Sequence, residues 1–154
     1  MTRSAGRGVG RVLSSAGAGF TLVPAPVPGL KSSTGTFVTD VELLSPDRLV
    51  RYLGRHIRHR FVSQLASFYL AAAAEPDPER SVASVHDETA GLALSVIAST
   101  PFTVTLEVTA VADLEASIAD HDTVAFDVPR ASLVTASHGL RDWLATSHGA
   151  QEVR

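Results

Sequence analysis

His86-Asp87-Glu88 and Asp120-His121-Asp122 are the two places in this chain where a histidine stands beside carboxylates. These are the residue types of an acid–base pair or a metal site. In a strand, however, neighbouring side chains point to opposite faces, and in a turn they meet water, so neither triplet converges on a point. His56 and His59 share a face if both lie on a helix, but no third ligand accompanies them. The serines lack a G-x-S-x-G elbow. Gly6-Arg7-Gly8-Val9-Gly10 has no strand before it and no Lys-Ser/Thr after it, so it is not a phosphate loop. The chain holds no cysteine, which removes disulfides, thiolate zinc sites and cysteine nucleophiles. No catalytic residue, metal or cofactor is expected, and the balance favours a protein that is not an enzyme.

The arginines are the more informative set. Residues 1–74 carry nine basic and three acidic side chains, a formal +6, and residues 75–154 carry four and thirteen, a formal −9. Arg48, Arg51, Arg55 and Arg58 follow at spacings of 3, 4 and 3, which in a helix gathers them on one side. Such a face meets water or an acidic partner. The net charge of −3 makes nucleic acid a poor expectation. Self-complementarity suits the asymmetry better, with the basic segment resting on the chain's own acidic half or on a second copy. Arg51, Arg55 and Arg58 are the residues expected to contact a partner.

The segment that would position them runs from Ser45 to Ala74. Ser45 suits an N-cap, Pro46 the first helical position, and Asp47 the positive end of the helix dipole. Val50, Leu53, Ile57, Phe61, Leu65 and Phe68 then fall on one stripe at helical spacing. The spacing predicts one long amphipathic helix, interrupted only by Gly54 and closed by Glu75-Pro76-Asp77-Pro78. Around it, alternation predicts strands over 36–44, 81–86, 92–98, 102–111 and 123–128, and Phe20 to Val23 as a short edge strand. Thr103, Thr105, Glu107 and Thr109 alternate with Val104, Leu106 and Val108, which leaves a threonine-lined outer face. A second helix over 132–146 is expected to bury Leu133, Ala136, Leu140, Trp143 and Leu144. Residues 112–119 suggest a short helix or a turn.

The expected fold is α+β, with a long helix and a C-terminal helix packed on a mostly antiparallel sheet of about five strands. Residues 1–35 read as a flexible Gly/Ala/Pro-rich basic tail, 36–147 as one domain and 148–154 as a frayed end. The strand-to-helix passages at Val41–Leu44 into Ser45 and Val124–Val128 into Ser132 echo each other only through a proline and an arginine, too little for an internal repeat. The longest apolar run, Phe68 to Ala74, is too short to span a bilayer.

A cytoplasmic protein-interaction domain of adaptor, inhibitor or immunity type is the leading expectation, with a protein or a second copy as partner. The competing expectation is a small ligand-binding domain or enzyme with a pocket between the long helix and the sheet, using His56, His86 or His121.

Overall fold

A computed structural model of the chain describes residues 8–24, 36–74, 84–112 and 121–153. Among these residues, eight strands and two helices appear in an order that repeats. β1 (Val9–Leu13), β2 (Gly19–Pro24), β3 (Thr36–Ser45) and β4 (Arg48–Arg58) lead into α1 (His59–Ala74). β5 (Ser84–Asp87), β6 (Leu92–Ser99), β7 (Thr103–Val111) and β8 (His121–Pro129) lead into α2 (Arg130–Val153). Each set of strands is an antiparallel meander in sequence order, so there are two four-stranded sheets. The α+β class is correct. The expected single sheet of about five strands under one long helix is not, since the described residues form two four-stranded sheets, each followed in the chain by a helix.

The long helix fails at its first half. Ser45 and Arg48 pair across a two-residue reversal at Pro46-Asp47. The Ser45 hydroxyl lies 3.1 Å from an Asp47 carboxylate oxygen and 3.2 Å from the Arg48 carbonyl. Ser, Pro and Asp serve a turn as readily as a helix start, and here the turn wins. β4 then runs eleven residues to Arg58, with Tyr52, Arg55 and Ile57 buried. The step from 52 to 55 is three residues, because the register with β3 shifts at that point and Gly54 takes φ +64°. This bulge breaks the two-residue period, and the broken period imitated a helical one. Leu53, expected on the buried stripe, is 70% exposed.

From His59 onward the helical reading holds, and α1 buries Phe61, Val62, Leu65, Ala66, Phe68, Tyr69 and Ala72. α2 begins directly after Pro129 and buries Leu133, Ala136 and Leu140, with Trp143 and Leu144 packed against the core. Residues 9–24, inside the segment expected as a tail, form β1 and β2. β2 is an interior strand rather than an edge. The expectations for residues 1–7, 25–35, 75–83 and 113–120 lie outside the described residues.

The two helices pack against each other, α2 lies along β1 and α1 meets β5, so each helix closes the other half's sheet. Ala66 and Ser137, each seven residues into its helix, meet where the helices touch, and the buried Ser137 hydroxyl donates to the Ala66 carbonyl at 2.7 Å. Small side chains at matched positions let the backbones approach. Arg130, at the start of α2, donates to the Ala72 and Ala73 carbonyls at 3.2 and 2.9 Å. It thereby supplies a cation to the negative end of α1, whose own last turn has none. At β1, Gly10 takes φ +64°, and a Cβ there would stand 2.8 Å from the Leu140 side chain. The buried Tyr69 hydroxyl donates to the Gly10 carbonyl at 3.0 Å, so β1, α1 and α2 meet at one glycine. Buried side chains from both halves form a single core.

Candidate functional site

β4 carries the arginines, and as a strand it divides them. Alternation interrupted at Gly54 turns Tyr52 and Arg55 inward and Leu49, Arg51, Leu53, His56 and Arg58 to the exposed side. The arginine face expected from helical spacing therefore does not exist, because the residues do not lie on a helix.

Arg55 is 7% exposed. Its guanidinium donates to the Ala90 and Val111 carbonyls at 2.8 Å each and to the Ala112 carbonyl at 3.3 Å, all in the second half. It also stacks over the Tyr52 ring, 4.9 Å from the ring centre. The Tyr52 hydroxyl donates to Asp122 at the start of β8, and Arg48 reaches the same carboxylate at 3.4 Å. Burial first, and the Asp122 hydrogen bond and charge second, push the Tyr52 phenol well above its ordinary value. Arg58 donates to the Thr89 hydroxyl at 2.8 Å and lies 3.8 Å from the buried Asp87. Arg51 alone stays on its own sheet, paired with Glu42 directly across on β3.

Three of the four arginines thus fasten the first half to the second. Strands β1–β4 hold five arginines and two carboxylates, and strands β5–β8 hold four carboxylates and no Lys or Arg. Part of the charge asymmetry of the sequence is thus used inside the molecule, through the Arg48–Asp122 and Arg58–Asp87 pairs. The exposed pairs add about 0–1 kcal/mol each. Buried, charge-assisted bonds such as those of Arg55 are worth about 1.5–3 kcal/mol.

The histidine clusters separate as strand geometry requires. On β5, His86 is exposed and Asp87 buried, and Asp87 accepts from the Thr89 and Ala90 amides at 2.9 and 3.4 Å, which shapes the following turn. His121 is exposed, while Asp122 turns to Tyr52; Asp120 lies outside the described residues. His56 sits on β4 and His59 opens α1, so they share no helix face, and His138 is exposed on α2. Among the described residues no group of three or more His, Asp or Glu is placed to hold a metal. An open depression of about 370 Å³ lies between α1 and β5, lined by Arg58, Arg60, Gln64, His86 and Glu88 among others.

The surface that sequence reasoning missed is the outer face of β3 and β4. Leu49 is 51% exposed and Leu53 70%, and half-buried Leu44 stands directly across from Leu49. Beside them runs the Glu42–Arg51 pair. The usable signal was Gly54, since a glycine inside an alternating run marks a bulge. The threonine-lined face of β7 also looks outward, but its hydroxyls are engaged within the sheet: Thr109 with Thr123 at 3.2 Å, and Thr105 donating to Asp127 at 2.5 Å. No described helix is long and apolar enough to cross a membrane. The chain matches no protein family, no curated protein and no solved structure.

Proposed function

We propose that this chain is a non-enzymatic protein-interaction domain, of adaptor, inhibitor or immunity type, working in the cytoplasm. Its docking surface is the outer face of β3 and β4. The observation that carries the reading is the exposure of Leu49 and Leu53 on an edge strand. Edge strands are ordinarily kept polar and charged, and two large leucines on one exposed face of such a strand favour a surface that a partner covers. Arg51 and Arg58 form its charged border. Arg55 belongs to the interior and contributes to docking only by holding β4 in place.

Leu53→Glu is the direct test, since Leu53 touches little of the core. The tagged protein, captured from its native host at low salt with nuclease present, is expected to retain a stoichiometric protein partner or an untagged copy of itself. Leu53→Glu is expected to lose that partner at least tenfold while keeping its melting temperature. Equal retention by the variant would overturn the reading. It would favour the second one, a small-ligand domain using the depression at Arg58, Arg60, Gln64 and His86, where a ligand raises the melting temperature by mass action.

A further inference from the structure

We infer that the occupant of this face is a second copy of the chain, packed sheet to sheet about a two-fold axis that runs along the strands between β3 and β4. The inference rests on the docking reading above and names its partner.

On β2, the residues facing the same way as Glu42 and Leu44 on β3 are Thr21 and Val23, and both are buried, at 8% and 5% exposure. β2 is thus covered on this side, and it separates the open strip of β3 and β4 from Arg11 and Leu13, which β1 exposes at the far edge. Those two strands carry opposite charge in parallel columns. β3 presents the carboxylates Asp40 and Glu42, and β4 presents Arg51 and, at its end, Arg58, which also reaches Thr89, with no carboxylate at all. A two-fold axis along the strands lays β3 of one copy over β4 of the other at the same height. Because Glu42 stands across from Arg51, and Leu44 across from Leu49, this rotation puts Glu42 over Arg51 of the second copy and Leu44 over its Leu49. Each then finds the same pairing in return, as a self-complementary interface demands. The leucines sit where packed sheets interdigitate, about 10 Å apart.

A pairing of β4 edge to β4 edge is the competing way to join two copies. It brings arginines against arginines, because the strand has no acidic residue. Packing of the faces avoids this clash.

The size of the face sets the strength. Ten residues of β3 at about 3.3 Å each, over two strands about 10 Å across, give a strip on the order of 300 Å² per copy. That is below the standard interface, so the dimer is micromolar or weaker and concentration-dependent.

Sedimentation equilibrium of the full chain tests this with two charge reversals. Glu42→Arg and Arg51→Glu each place like charges across the axis in their own dimers, so each alone is expected to dimerise at least tenfold more weakly than the wild type. Mixed in equal amounts, they restore the Glu–Arg pairing between copies but not within either, and a heterodimer of wild-type strength is expected. If either reversal fails to fold by circular dichroism, Leu53→Glu and Leu49→Glu take its place and are expected to be monomeric. A wild type that stays monomeric at its highest soluble concentration, or a mixture no stronger than its components, overturns the inference. If the wild type is monomeric and Leu53→Glu still loses a host partner, self-association falls and the docking surface stands. If the wild type is monomeric and Leu53→Glu keeps the partner, both fall.

Discussion

Arg55 and Phe126 occupy the same place in the two halves: each stands four residues before its helix, on the last strand of its sheet, and each is buried. Tyr69 and Leu140 likewise stand ten residues into α1 and α2 and are both fully buried, and Ala66 matches Ser137. The plan is shared, but the side chains at matched positions are not. In the second half these places hold hydrocarbon and one hydroxyl. In the first they hold an arginine and a tyrosine whose donors reach carbonyls of other elements. What repeats is which positions are inside, and very different chemistry satisfies that requirement so long as every buried donor finds an acceptor.

The sharpest way to break the comparison is at Arg55. Arg55→Ala removes the bonds to Ala90, Val111 and Ala112 and the stack on Tyr52, and is expected to cost about 3 kcal/mol in urea unfolding. Arg55→Phe, which gives the first half the second half's residue, is expected to recover little of this, because the carbonyls stay unsatisfied. Full recovery would mean that burial alone matters at this position.

Tyr69 offers a middle case. Tyr69→Phe leaves the Gly10 carbonyl without its donor, at about 1 kcal/mol near neutral pH. Burial raises the Tyr69 phenol above its ordinary value of about 10, so the folded state holds the neutral form that the unfolded state gives up. The associated stability is therefore complete below about pH 10 and is lost as pH rises beyond it. Unfolding measured across alkaline pH is expected to fall less steeply in Tyr69→Phe, with Tyr52 responsible for what remains. An unchanged slope would show that Tyr69 ionises no differently in the two states.

The two bulges give the smallest effect and the finest discrimination. Gly54 and Gly10 share φ +64°, but an added Cβ at Gly54 meets nothing within 4 Å, whereas at Gly10 it meets Leu140. Gly54→Asn is expected to cost about 0.5 kcal/mol, since asparagine tolerates this conformation. Gly10→Asn is expected to cost clearly more. Equal melting temperatures would mean that α2 yields to the added side chain.

The same contrast governs what was legible beforehand. β7 and β8 keep strict alternation, and the sequence pattern located them within a residue or two. β4 is as long as any strand but changes phase at Gly54, so Val50, Leu53 and Ile57 aligned at helical spacing and merged with the true helix after His59. β1 and β2 were hidden for another reason. β2 is buried throughout, so it shows no alternation, and β1 carries its own bulge between Val9 and Val12. The charge asymmetry was readable, and contact between the basic segment and the chain's own acidic half was one of the two uses it suggested. Which arginine makes that contact was not readable, because that depends on the phase of β4. That His86 and Asp87 point to opposite sides of β5 followed from alternation and did not require the fold.

The packing of α2 on β1 has a consequence for how the chain acquires its structure. β1 leaves the ribosome long before α2, yet Leu140 and Gly10 are in contact. The first meander can assemble locally during synthesis, but the side of β1 that α2 covers stays open until α2 has been made. Folding of the first half is thus provisional, and its closing step is a long-range contact, which loop entropy makes slow.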